Sequence, residues 1–211
     1  FRLAMKNAEF ADKSIPILVY YKTNREMHFG IEKHTDADYT DEPFGRILTY
    51  DKAFSATIDD FNDFEEWFRY QEDIENQEKI HKKDLDFFDP YLETVRKAVI
   101  NFIKPFSDVS GDLKIKRVTN LNSYYSPTKE FSLVTTKNGQ ELRLSQLSSG
   151  ERALMLLVAD IARRAVIANP HISDPLQSEG IVLIDEIELH LHPKWQRKVI
   201  PALRKTFPNI Q

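Results

Sequence analysis

Five residues, Gly180 to Ile184, run Gly-Ile-Val-Leu-Ile and end on two acids, Asp185 and Glu186. A strand with one face in water alternates polar and apolar residues. This segment has no polar position, which predicts a central strand of a parallel sheet covered on both faces and places the chain in the α/β class. In open α/β sheets the ligand crevice lies beyond the carboxyl ends of the strands, so Asp185 and Glu186 are expected where a Mg-nucleotide would sit. Magnesium prefers oxygen ligands and keeps several waters, which suits Asp185 as a direct or water-mediated anchor. Glu186 then suits the task of orienting and deprotonating an attacking water. The plain alternative is two acids capping a strand-to-helix turn.

About thirty residues earlier, Leu147-Ser148-Ser149-Gly150-Glu151 precedes a long apolar stretch, Ala153 to Ala168. Arg163 and Arg164 fall in its last turns, and Asn169-Pro170 is the stop. This is a helix N-terminus, where unpaired amides and the positive dipole end favour an anion, serine hydroxyls add donors and Gly150 permits close backbone approach. A routine serine N-cap with Glu151 in the first turn explains the same letters.

The rest of the chain supplies the frame. Ile15–Tyr21 reads as a buried strand, and 30–60 as a polar surface excursion with weak order. Asp60 is a candidate cap for a helix carrying Phe61, Phe64, Trp67 and Phe68. A second helix carries Leu92, Val95, Val99, Phe102 and Ile103, with a hinge near Asp89-Pro90. The acids Glu72, Asp73, Glu75 and Glu78 are expected on a solvated face, with a partner surface as the alternative. Three short strands follow, Leu113–Val118, Phe131–Thr136 and Glu141–Leu144, the last two joined by an Asn138-Gly139 turn. Pro193 opens a final helix from Trp195 to Lys205, and Pro201 should kink it. The expected division is 1–59 strand and excursion, 60–104 helical insertion, and 105–211 C-terminal lobe.

Composition limits the functions available. The 211 residues are 41% hydrophobic, and 29 Lys and Arg against 33 Asp and Glu leave a net charge of -4, so contact with nucleic acid must be a local patch. The candidate is a stripe around Lys114, Lys116 and Arg117, but alternation on a strand puts the two lysines on one ordinary solvated face. There is no cysteine, hence no disulfide framework or thiolate site. No run is long enough for a membrane helix and no secretion signal is evident, which fits a soluble cytoplasmic protein. His190 and His192 lack a third ligand at metal-site spacing.

Leu147–Glu151 resembles the ABC signature motif, and Ile181–Glu186 resembles a Walker B motif with its catalytic glutamate. The run Glu188-Leu189-His190-Leu191-His192-Pro193 resembles the D-loop region of RecF-, SMC- and OLD-like ATPases. Three further stretches, Ile15–Arg25, Phe64–Asn76 and Leu92–Ile103, are similar to the PtuA-type ATPases of Septu and retron anti-phage systems. The resemblance implies an ABC-type P-loop NTPase lobe, a parallel sheet core with flanking helices, plus an inserted helical pair. It implies a head that dimerises around ATP and Mg²⁺, with Ser148, Ser149, Gly150 and Glu151 covering the γ-phosphate in trans. Asp185 would hold Mg²⁺, Glu186 would be the catalytic base, and Glu188, His190 and His192 would form the D-loop seam. The implied partners are a PtuB-like HNH nuclease and, where a retron is involved, its reverse transcriptase and DNA-RNA product, with nucleic acid contacted indirectly.

The six glycines, Gly30, Gly45, Gly111, Gly139, Gly150 and Gly180, nowhere form a Gly-x4-Gly-Lys-Ser/Thr loop. The phosphate-binding loop is therefore expected upstream of Phe1, and the family's switch histidine beyond Gln211. The chain reads as a fragment that is inert alone. An OLD-like ATPase with a nuclease domain after Gln211, and a non-catalytic interaction lobe, are the competing readings.

Overall fold

The computed structural model describes residues 13–22, 45–50, 52–54, 61–120, 128–188 and 191–211. Among these, the elements in chain order are β1 (Ile17–Tyr21), α1 (Phe61–Lys82), α2 (Pro90–Ile103), β2 (Lys114–Asn120), β3 (Thr128–Lys137), β4 (Gln140–Arg143), α3 (Ser149–Ala168), β5 (Gly180–Ile184) and α4 (Pro193–Thr206). They form two compact units, Phe1–Asn62 with Asp160–Gln211, and Asp63–Ala159. The helical pair and the three-stranded sheet share the second unit.

In the first unit β1 and β5 pair in parallel, Ile17 opposite Gly180 and Tyr21 opposite Ile184. Ile210 bridges Gly180 from the other edge, and Val182 N–H donates to the Gln211 carbonyl at 2.8 Å. β5 therefore has neighbours on both edges, as its composition predicts. Its faces are a different matter, because Ile181 and Leu183 remain 47% and 56% exposed. The expectation of cover on both faces is corrected: an unbroken apolar run does not by itself secure cover, and the face that carries Ile181 and Leu183 is half-exposed. The ladder requires glycine at 180, since a Cβ there would lie 2.5 Å from the Ile17 carbonyl oxygen.

Part of the predicted surface excursion belongs to this unit's interior. Residues Gly45–Tyr50 form a 3-10 helix with Arg46 and Thr49 buried. Arg46 Nε donates to the Ala168 carbonyl at 2.6 Å, and Arg46 Nη2 to the Lys13 carbonyl at 2.5 Å. A guanidinium at the end of α3 satisfies carbonyls that the helix leaves without internal partners. Asn169 completes the stop, accepting from Ile15 N–H at 2.7 Å and donating to the Ile15 carbonyl and to Ser178 Oγ. α4 begins with Pro193 and runs through Pro201 without ending there. Asp60, the expected cap of α1, lies outside the described residues.

In the second unit, Asp89 caps α2 by accepting from Leu92 N–H at 2.9 Å, with Pro90 in the first turn. Phe64, Trp67 and Phe68 of α1 and Leu92, Val95, Val99, Phe102 and Ile103 of α2 are all buried. The acidic run departs from expectation. Glu75 is only 2% exposed, and Glu72 and Glu75 together hold the Arg96 guanidinium at 3.0 Å. Glu72 also accepts from Ile115 N–H at 2.9 Å, and Glu65 from Leu133 N–H at 3.0 Å. These carboxylates tie α1 to α2 and to the sheet, so the solvated or partner-binding face is corrected at those positions. Carboxylates among apolar side chains are tolerated because each is paired and hydrogen-bonded.

The sheet is antiparallel in the order β2-β3-β4. Asn138 and Gly139 both have positive φ, 51° and 75°, as the tight primed hairpin turn requires. Lys114 pairs with Asp112 and Lys116 with Glu141, in keeping with an ordinary solvated strand face.

Candidate functional site

The two motifs lie in different units and are built by different physics. At the start of α3, Ser148 precedes the first helical residue. Its Oγ accepts from Glu151 N–H at 3.3 Å, while its own N–H and hydroxyl donate to Glu151 Oε2 at 3.1 and 2.8 Å. This reciprocal arrangement is a capping box. The Glu151 carboxylate is buried and receives Lys137 Nζ at 2.8 and 3.0 Å as well as the Ser107 hydroxyl. Burial alone would raise its carboxyl, but the bonds from Lys137, Ser107 and Ser148 outweigh it and lower the pKa to about 2. Ser148 and Ser149 are exposed, whereas Leu147 and Gly150 are buried.

At the end of β5 the geometry is of another kind. Asp185 N–H donates to the Tyr21 carbonyl at 2.9 Å, the last rung joining the two parallel strands. Glu186 follows at φ 46°, in the left-handed region that glycine occupies freely and glutamate does not. Residues 185–188 form a turn, and Asp185, Glu186 and Glu188 are exposed. Strain of this kind persists only where the surroundings over-determine the backbone, and it gathers at functional sites.

The region after the turn is only partly described. His192 is the N-cap of α4, its Nδ1 accepting from Lys194 N–H at 3.2 Å. His190 lies outside the described residues. Among the described residues, no group of three His, Cys, Asp or Glu side chains is placed to share a metal. Magnesium does not need such a group, since one or two carboxylates with waters and substrate phosphates suffice. A single exposed Asp185 at a strand end fits that requirement.

Several buried groups escaped the sequence reading. Arg163 and Arg164, in the last turns of the helix, are buried. Asp160 receives Arg163 Nε and Nη2 on Oδ1 at 2.9 and 2.6 Å, and Arg164 Nε on Oδ2 at 2.8 Å. Tyr21 Oη donates to the same Oδ2 at 2.7 Å. Burial raises the Asp160 carboxyl, yet the two guanidinia outweigh it and hold it well below the usual range. Arg164 also reaches the Thr49 carbonyl at 2.5 Å, and the Thr49 hydroxyl donates to the Arg164 carbonyl at 3.0 Å. The i, i+3 and i, i+4 spacing of Asp160, Arg163 and Arg164 was a readable signal. Tyr21 and Thr49, more than a hundred residues away, had none.

The described residues thus form a mixed α/β structure with a small parallel sheet, one strand of which ends in two adjacent acids. The chain belongs to the family described as "AAA domain, putative AbiEii toxin, Type IV TA system", whose model matches residues 22–211. Among curated proteins it is similar to the "Retron Vc95 probable ATPase" of Vibrio cholerae serotype O1 biovar El Tor, 33% identical over 94% of this chain and 43% of that protein. It is 32% identical to the "Retron Ec83 probable ATPase" of Escherichia coli over the same shares. A "Septu protein PtuA" of Bacillus thuringiensis is 31% identical over 72% of this chain and 34% of its own length. The chain thus spans less than half the length of these relatives.

Proposed function

We propose that this chain is the lobe of an ATPase head that carries the hydrolytic acids, in a protein that serves a retron- or Septu-type anti-phage defence complex. One observation carries the reading: Glu186 sits in a strained left-handed conformation directly after Asp185 at the carboxyl end of a parallel strand. A residue that merely caps a turn gains nothing from that strain, whereas a base that must face an attacking water does.

In this reading Asp185 holds Mg²⁺ directly or through water, the ion offsetting charge on the phosphates. Glu186 orients the water and accepts its proton as the oxygen attacks the γ-phosphorus and the bond to the β-phosphate oxygen breaks. Ser148, Ser149 and Gly150 cover the γ-phosphate held by a second protomer, so the two motifs need not meet within one chain. Glu151 supports that end by holding Ser148, its carboxylate already committed to Lys137. Glu188, His190 and His192 line the seam between protomers. The reading requires a phosphate-binding loop elsewhere in the full-length polypeptide. The head would act as an ATP-dependent switch on an HNH nuclease partner and, in a retron, alongside the reverse transcriptase and its DNA-RNA product.

The test is ATP turnover by the full-length protein and its Glu186→Gln variant with Mg²⁺, followed by sizing of the variant with ATP. Turnover should fall by about 10²–10⁴-fold, with ATP still bound and an ATP-dependent dimer accumulating. A variant that hydrolyses ATP like the wild type removes Glu186 from the chemistry.

A further inference from the structure

Beyond the acids themselves, the first unit contains a polar cluster in a place where an apolar core would have served stability alone. Tyr21, Asp160, Arg163 and Arg164 are all buried, and removing an ion pair and a phenol from water is costly unless every bond is made. Here each bond is made: three side chains converge on Asp160 of α3, and one of them, Tyr21, belongs to β1. Tyr21 is bound at both ends: its hydroxyl donates to Asp160 Oδ2 at 2.7 Å, and its carbonyl accepts from Asp185 N–H at 2.9 Å. Asp160 is in turn fixed by both guanidinia, and Arg164 by the Thr49 backbone.

We propose that Tyr21 is a positioning residue for hydrolysis, its buried hydroxyl anchored on Asp160 so that its carbonyl holds the Asp185 amide against the strain of the next residue. The inference rests on the assignment of Asp185 and Glu186 made above. The Asp185–Tyr21 rung is the last ladder bond before the backbone turns into the left-handed region at Glu186. A strained residue relaxes unless its neighbour is fixed, and a small misplacement of a catalytic group is expensive in rate. Packing of the Tyr21 ring secures β1 against the core, but a ring alone permits β1 to slide and tilt. The hydroxyl bond to an immobilised carboxylate removes that freedom at the one residue that faces the acids' backbone.

The experiment compares full-length wild type with Tyr21→Phe, which deletes one oxygen and keeps the ring. Turnover is expressed per ATP-binding site, counted with a fluorescent ATP analogue, so that a misfolded fraction does not register. The expected result is a kcat about tenfold lower with the KM for ATP changed less than twofold, because the ground-state nucleotide makes no use of the carbonyl rung. A cluster that only stabilises the fold would lower the melting temperature and leave kcat per site unchanged, and that result overturns the proposal. If Tyr21→Phe does not fold, Arg163→Gln, which removes the two bonds on Asp160 Oδ1 and spares the hydroxyl, should lower kcat about threefold at constant KM. An unchanged kcat there overturns the proposal equally. Glu186→Gln run beside these separates the layers. If it is inactive while Tyr21→Phe turns over normally, the positioning role alone is wrong. If it is active, the assignment beneath both falls.

Discussion

The two ends that bear the candidate motifs solve opposite problems. At the start of α3 the acidic residue is buried, accepts from three side chains and sits in a relaxed capping box, so its position is set by many weak constraints. At the end of β5 the acidic residues are exposed, the backbone is strained at Glu186, and a backbone rung ties Asp185 to β1. A capping carboxylate has only to stay. A general base has to face a water that arrives with the substrate, so it cannot spend its oxygens on internal partners. On the proposed function, the difference separates the acid that holds the structure from the one held in readiness.

Substitutions at the two ends should therefore differ in kind. Glu186→Gln should produce the largest change, the turnover loss of two to four decades described above, with stability within about 0.5 kcal/mol of wild type because the side chain is exposed. Glu151→Ala should do the reverse. Losing a cap and the ion pair to a partly exposed lysine should destabilise the full-length protein by about 1–2 kcal/mol in urea unfolding. Equal effects on stability at the two ends would erase the comparison.

Acid sharpens it further, with a smaller effect because protonation leaves the Glu151 side chain in place. Its pKa of about 2 lies below the ordinary 4.5 of an unfolded glutamate, and Asp112, bonded to Ser110, Thr136 and Lys114, is likewise held at about 2. Groups with depressed folded values contribute stability above the unfolded pKa and lose it as pH falls toward the folded one. The unit containing residues 63–159 should thus lose stability progressively from about pH 4.5 to 2, and Glu151→Gln should flatten that slope in acid titrations followed by circular dichroism. The last expected change is a small gain in stability at Glu186→Gly. Relief of the left-handed conformation should raise stability by about 1 kcal/mol while turnover is lost. A destabilised Glu186→Gly variant would mean that the backbone there carries no strain.

How much of this was legible beforehand depends on how local the cause is. The Asn138-Gly139 turn, the Asp89-Pro90 helix start and the apolar run of β5 are decided within a few residues, and the structure places them where the sequence does. The capping box was readable in Ser148-Ser149-Gly150-Glu151, as the plain alternative to an anion site, and the geometry contains it. What stayed hidden is long-range. Nothing near Glu72 or Glu75 says that they turn inward to Arg96 and to the Ile115 amide, since the spacing of acids on a helix is the same whether water or an arginine faces them. Arg46 and Thr49 sit in a polar stretch and are buried only because the end of α3 arrives beside them. Tyr21 looked like one more apolar strand residue, and its hydroxyl acquires meaning only through Asp160.

The parallel pairing of β1 with β5 also fixes an order of events during synthesis. Ile17 meets Gly180 across roughly 160 residues of chain, a gap the ribosome takes about 8–30 s to cross. Throughout that interval Ile-Leu-Val-Tyr-Tyr waits for the strand that pairs with it among the described residues, while the local helices and the Asn138-Gly139 hairpin can already form. The nascent chain thus passes through a stage in which the local hairpin precedes the edge that carries Asp185 and Glu186, and in which β1 must be sheltered from neighbouring chains.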